Sequence, residues 1–229
     1  MLDVVNHLHQ VRSRIQRAEQ ACDRQPGSVA LLAVSKTKPV DAIQAAVAAG
    51  QRRFGESYVQ EAVDKIQQIA NDDIEWHFIG PIQSNKTRLI AENFSWVHSV
   101  DRLKIAQRLS DQRPLGLAPV NICLQVNVSA EASKSGITPD KLPGLVEAVL
   151  KLPNIKLRGL MAIPAKSSSE NAQCEAFRKL SDSLKKINQQ FSINLDTLSM
   201  GMSNDLEAAI AEGATMVRVG SDIFGARTY

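Results

Sequence analysis

The sequence predicts an α/β chain folded as a single (β/α)8 TIM barrel with an extra helix ahead of the first strand. Three observations lead there. Short apolar, β-branched runs alternate with longer stretches of helical period along the 229 residues, the pattern of parallel strands joined by right-handed helical crossovers. Eight such runs in a chain of this length match a barrel of near-minimal size. The rival architecture, an open doubly wound sheet, is weakened because no G-x-G-x-x-G follows the first strand.

Taken in order, segment 2–22 carries Val4, Leu8, Val11, Ile15 and Ala18 on one stripe and is the extra helix. The first strand is 30–36, ALLAVSK, and the helix after it, 39–49, has Pro39 in its first turn and Gly50 just beyond its end. A strand at 52–55 leads into a helix over 56–70, with Val59, Val63 and Ile66 at spacings of four and three. Strands at 76–80 (WHFIG) and 96–101 (WVHSVD) precede helices at 84–92 and 102–112. Strands at 121–128 and 156–163 precede helices at 139–152 and 171–190, with SAEASKSGIT (129–138) a mobile loop after the fifth strand and the serines of KSSSE a loop before a helix. The last strands are 197–201 and 216–220. Between them a helix over 203–212 has Ser203 as its N-cap and Gly213 as its stop. With no linker, low-complexity tract or long repeat, 1–229 reads as one domain, of which 1–24 is the N-terminal helix and its lead to the first strand.

Composition excludes several classes of function. The net charge is only +3 and the basic residues are scattered among acids, so no clustered basic face for nucleic acid is expected. Aromatics at 4% are too few for a base-stacking platform. Cys22, Cys123 and Cys174 stand far apart without a C-x-x-C, as in the reduced thiols of a cytoplasmic protein. The N-terminus lacks a signal-peptide pattern, and no run approaches the roughly 18 apolar residues of a membrane span. No histidine pair has metal spacing, and no P-loop, nucleophile elbow or close pair of catalytic carboxylates is present. His77, in the middle of WHFIG, reads as a hydrogen-bonded core histidine rather than a ligand.

In a barrel every strand's C-terminal end opens on one face, where the active sites of this fold lie. That rule brings together Lys36 from the first strand, Asn127 from the fifth, Met161 from the sixth, SMGMSND (199–205) from the seventh and RVGSDIFG (218–225) from the eighth. Read alone, Lys36 is a charge returning to solvent, and the glycines are tight turns. Read together, a lysine amine able to form a Schiff base faces two glycine- and serine-rich loops whose backbone N–H groups can converge on a phosphate. A ligand with both an aldehyde and a phosphate satisfies both, and pyridoxal 5'-phosphate is the candidate. Arg218, in an otherwise apolar strand, is either the donor to that ligand's pyridine nitrogen, which weakens it as an electron sink, or a partner of an acid in the barrel wall. Lys38, Lys86 and Lys134 are either rim residues that capture anions or ordinary surface lysines.

AVSKTKP (33–39), FGESYVQEAVDKI (54–66), WHFIGPIQSNK (76–86), NVSAEASKSGI (127–137), RGLMAIP (158–164), SMGMSNDLEAAI (199–210) and VRVGSDIFGAR (217–227) resemble, in order and over nearly the whole chain, the pyridoxal phosphate homeostasis proteins. These are also known as the PLP-binding or proline-synthetase co-transcribed family. The resemblance implies a barrel like the N-terminal domain of alanine racemase, with pyridoxal 5'-phosphate carried covalently on Lys36. It implies that Ser203, Gly220 and Ser221 hold the phosphate, that Met202 in the same loop is cofactor-binding, and that Arg218 faces the ring nitrogen. One position departs: the family commonly has asparagine where this chain has Ser57, which is therefore left out of the site.

The resemblance further implies a role in vitamin B6 homeostasis and in amino-acid and keto-acid balance without established turnover. Alanine racemase adds a second domain whose tyrosine supplies the other acid/base group. This sequence ends at Tyr229, soon after the eighth strand, so a cofactor carrier is expected, with no catalytic residues, and a slow PLP-dependent amino-acid racemase is the alternative. A Schiff-base aldolase acting on a phosphorylated sugar ranks third. The expected partners are the cofactor itself and PLP-dependent apo-enzymes as recipients, with no nucleic acid, no membrane and a monomeric state.

Overall fold

Eight short parallel strands close on themselves in chain order in the structure, a computed structural model that describes residues 3–129, 135–165, 167 and 169–226. They are β1 (Ala30–Val34), β2 (Arg53–Glu56), β3 (Glu75–Phe78), β4 (Trp96–Val100), β5 (Val120–Gln125), β6 (Ile155–Met161), β7 (Thr197–Ser199) and β8 (Met216–Val219). Closure is made by β8 pairing back onto β1, with Leu32 opposite Arg218. This is the predicted (β/α)8 barrel.

Helices cover the outside: α1 (Val4–Ala21), α2 (Val40–Ala48), α3 (Val59–Ile69), α4 (Thr87–Asn93), α5 (Leu103–Asp111), α6 (Leu142–Val149), α7 (Glu170–Phe191), α8 (Leu206–Ala211) and α9 (Ser221–Phe224). Their apolar stripes form the main core against the sheet, with Ile43, Ile105, Leu109, Phe177 and Leu180 buried there. Each large side chain removed from water contributes about 1.5–3 kcal/mol. The stripe read from α1 is buried as expected, Val4, Leu8, Val11, Ile15 and Ala18 facing inward. That helix packs beside α8 and α9, so it touches the loops that follow β7 and β8.

Three departures from the sequence reading bear on the site. Glu56 belongs to β2 and α3 begins only at Val59, because the Glu56 side chain is tied to Ser35 and Lys65 and keeps the chain extended. Residues Ser84–Lys86 form a 3-10 turn before α4. Ser203 is not a helix cap: α8 starts at Leu206 after Asp205, whose Oδ1 accepts the Met202 N–H at 2.6 Å and closes a turn over residues 202–205. The Ser203 hydroxyl is thereby left for the mouth of the barrel. Of the loop expected to be mobile, residues 130–134, including Lys134, lie outside the described residues, and Ile137 is tied back to Gln125 and Asn127 by backbone bonds. Among the described residues no helix is long and apolar enough to cross a membrane.

Candidate functional site

Lys36 is the second residue past β1, half-buried, on a segment clamped from behind. Ser35 Oγ donates to Glu56 Oε1 at 2.7 Å, and Lys65 Nζ, reaching in from α3, donates to the same oxygen and to the Ser35 carbonyl, both at 2.9 Å. Lys65 also pairs with Glu61, whose Oε1 accepts the Thr37 N–H at 2.6 Å. Thr37 has φ 63°, a left-handed conformation that costs a residue with a side chain about 1–2 kcal/mol. The Glu61 bond holds it there, so both neighbours of Lys36 are fixed by carboxylates. Burial pushes the Glu56 carboxyl above its ordinary value, with the Lys65 charge opposing the shift.

Opposite stand the loops after β7 and β8. Gly201 has φ 89°, and a Cβ there would lie 2.5 Å from the Ala209 side chain, so only glycine lets the first loop turn this sharply. A Cβ on Gly220 would lie 3.1 Å from the Val34 carbonyl, which is how closely the end of β8 approaches the strand that carries Lys36. The two loops meet through their hydroxyls, Ser221 Oγ donating to Ser203 Oγ at 3.1 Å. Arg14 of α1 ties them together from below, donating to the Ser203 carbonyl at 3.0 Å, to Asp222 at 2.6 Å and to Glu207.

Arg218, on β8, is buried. Its Nη1 donates to Ser199 Oγ at 2.9 Å and its Nη2 to the Ala162 carbonyl at 3.0 Å. No ion pair to a carboxylate is found for it among the described residues, so the barrel-wall salt bridge weighed from the sequence is not what holds it. Burial lowers its pKa to about 10. Behind Ser199 lie His98 and His77. His98 Nδ1 is 2.8 Å from Ser199 Oγ, His98 Nε2 is 2.8 Å from His77 Nδ1, and His77 Nε2 is 2.9 Å from Glu75 Oε1. Burial pushes both imidazoles below their ordinary pKa, His98 well below, whereas the His77 bond, more than any other contact, holds Glu75 down at about 2.

A cavity of about 700 Å³ opens at this mouth, and Lys36, Met202, Ser203, Arg218, Gly220 and Ser221 all line it. The six residues singled out from the sequence are thus brought to one place. Asn127 and Met161 are buried but are not among the lining residues, Met161 packing with Trp96 and Cys123. Lys38 lines the cavity, yet its amine is engaged with the Gly225 and Ala226 carbonyls at 3.0 and 2.8 Å, and Lys86 is not part of the lining. A larger groove, about 960 Å³, opens at the opposite end, beside Arg12, Glu19, Arg53 and Glu75. Its charged groups are bound to one another or to backbone, as in the Arg53–Glu75 pair and the Arg12 bond to the Ala49 carbonyl. The mouth is therefore the candidate site.

Sequence reasoning missed the residues behind the lining, Glu56, Glu61, Lys65, Arg14 and His98; it carries Ser199 to the mouth within SMGMSND but not its bonds to Arg218 and His98. A signal did exist for Lys65, which stands four residues after Glu61 on the inward side of α3, beside buried Ala62. Nothing local marks Arg14, whose partners lie near the other end of the chain.

The barrel is that of a recognised class of domain. The family model for the alanine racemase N-terminal domain matches residues 7–228. Alanine racemase of Corynebacterium glutamicum, 14% identical, superposes with a TM-score of 0.70 over 97% of this chain and 61% of its own, a likeness of fold. Much nearer is PipY of Synechococcus elongatus, solved without PLP (38% identity, TM-score 0.87) and with PLP bound (37%, 0.85), each covering 97% of this chain and 100% of its own. The pyridoxal phosphate homeostasis protein of Pseudomonas aeruginosa is 60% identical over 100% of this chain and 98% of its own length; that of Escherichia coli strain K12 is 53% identical over 100% and 99%. The chain belongs to the pyridoxal phosphate homeostasis protein family.

Proposed function

We propose that this chain binds pyridoxal 5'-phosphate at the barrel mouth, as a Schiff base on Lys36, and acts as a carrier in vitamin B6 homeostasis and amino-acid and keto-acid balance, the whole chain forming one cofactor-binding domain. The observation that carries the proposal is the single cavity lined by an amine, two converging serine hydroxyls and a buried guanidinium. These groups fit the cofactor: the amine answers its aldehyde, the hydroxyls and glycine-lined loop its phosphate, and the guanidinium its ring nitrogen. Support comes also from PipY, whose solved structure has PLP bound. When bound, the cofactor supplies an aldehyde that captures amines reversibly and a ring that withdraws electrons.

The chain's own residues do the rest. Ser203 and Ser221, 3.1 Å apart, orient the phosphate end, with Met202 and Gly220 shaping the loops around it. Arg218 can only donate, so it keeps the ring nitrogen unprotonated and the ring a weak electron sink. Holding is favoured over turnover because two-base chemistry needs a proton donor on each face. Two further titratable groups line the cavity and both are engaged: the Lys38 amine with the Gly225 and Ala226 carbonyls, and Asp205 Oδ1 with the Met202 N–H.

The test is the absorbance spectrum of the purified protein before and after borohydride, with peptide mapping. A yellow protein giving one reduced adduct, on Lys36 and lost in Lys36→Ala, is expected. An adduct at another defined residue in Lys36→Ala overturns the assignment. Solvent-deuterium exchange at Cα of amino acids at enzyme-like rates, dependent on Lys36, turns the reading to a racemase.

A further inference from the structure

The bond between His98 on β4 and Ser199 on β7 joins strands that are not neighbours, so it crosses the barrel lumen. With its continuations it makes an unbroken series: Arg218, Ser199, His98, His77, Glu75, every link between 2.8 and 2.9 Å. The first four members are buried, and Glu75 lies at the opposite end of the barrel, where β3 begins.

The two ends fix the direction of every proton between them. A guanidinium only donates, so Ser199 Oγ accepts from Arg218, and an ionised carboxylate only accepts, so His77 carries its proton on Nε2. A neutral His77 then accepts at Nδ1, which requires Nε2–H on His98, and a neutral His98 accepts at Nδ1 from the Ser199 hydroxyl. If instead Ser199 accepted from His98 Nδ1–H, one of the imidazoles would have to be charged. Both are fully buried, and they face Arg218 from β8 and Arg53 from β2 as well as Glu75. A charged imidazole there is strongly disfavoured.

We propose that Glu75, His77, His98 and Ser199 are positioning residues that form a one-directional hydrogen-bond chain through the lumen and hold the Arg218 head in front of the cofactor, so that the donor at the mouth is set from the far end of the barrel. The chain itself stands on this geometry; its effect on the cofactor rests on the proposed function.

The experiment separates the two. Two-bond 1H–15N spectra of the cofactor-free protein between pH 5 and 8 are expected to give both His77 and His98 as neutral Nε2–H tautomers, with slowly exchanging Arg218 guanidinium protons. An Nδ1–H tautomer or a charged imidazolium at either position overturns the chain. Glu75→Ala removes the terminal acceptor and is expected to broaden the Arg218 signals, while Glu75→Gln, which keeps an acceptor oxygen, restores them. In loaded protein Glu75→Ala is expected to shift the chromophore band and speed cofactor release about fivefold, with Glu75→Gln close to wild type. Arg218 signals and release rates that are the same in wild type and Glu75→Ala overturn the positioning role. If wild type takes up no chromophore, the proposed function fails while the spectra of the cofactor-free protein still decide the chain.

Discussion

On the amine side of the mouth, the ion pair that braces the Lys36 segment is out of water: the Glu56 side chain is wholly buried and that of Lys65 is 7% exposed. On the side of the serine loops, Arg14, Asp222 and Glu207 form the brace with side chains 29, 32 and 53% exposed. Salt and solvent screen the second arrangement and scarcely touch the first. A desolvated pair also cannot lose one member without stranding a charge. The mouth thus has one wall braced out of water, at the Lys36 segment proposed to take the aldehyde, and one wall braced in contact with solvent, at the serine loops proposed to take the phosphate.

The largest effect that tests this contrast is Lys65→Met. It leaves Glu56 buried with Ser35 Oγ as its remaining partner, and the expected loss is about 3–5 kcal/mol of stability in urea denaturation. Adding Glu56→Gln removes the stranded charge and is expected to recover more than half. A single variant costing under about 1 kcal/mol, the range of an exposed pair, breaks the contrast at its buried side.

Next are the two hydroxyls. On the proposed reading Ser203→Ala and Ser221→Ala each remove a donor to the phosphate, and each is expected to raise the cofactor dissociation constant by about tenfold while leaving the borohydride adduct on Lys36. Because the two side chains touch, the double variant is expected to fall short of the product of the singles. Release rates unchanged in the double variant break the assignment of the serine loops as the phosphate site.

How much of this was legible in the sequence follows from the same division. The eight strands and the buried stripe of α1 could be read because each is local, periodicity making the elements, and barrel topology carries Lys36, Arg218 and the loops 199–205 and 218–225 to one face; the choice of Met202, Ser203, Gly220 and Ser221 within those loops came with the family resemblance. What holds those residues could not. Arg14 meets Asp222 across most of the chain, and the histidine of WHFIG gains its meaning only when β4 and β7 bring His98 and Ser199 alongside it. Ser203 was misread as a cap because a serine before an apolar run looks the same whether its hydroxyl closes a helix or lines a pocket; the turn made by Asp205 decides between them.

Glu75 is the intermediate case, half-exposed yet bonded to a buried imidazole. Its folded pKa of about 2 lies below the ordinary 4.5, with the His77 bond the chief cause. The stability this contributes is full above about pH 4.5 and is lost as pH falls toward 2. Wild type is therefore expected to lose on the order of 1 kcal/mol more than Glu75→Gln across that window, discounted for solvent screening at an exposed carboxylate. Parallel urea midpoints measured down the pH series check it; coincident profiles remove Glu75 from the bonded set.

The smallest effect sharpens the contrast most. Arg14→Met deletes two half-exposed ion pairs and the bond to the Ser203 carbonyl, and is expected to cost about 0.5–1 kcal/mol at low salt, shrinking toward zero near 1 M salt. The loss in Lys65→Met, by comparison, is expected to stay constant across the same salt series, because no counterion reaches the buried pair. Thermal melting of both variants from low to high ionic strength gives the answer directly. Parallel salt dependence in the two would mean that the walls are held alike, and that the serine loops are as rigid as the Lys36 segment.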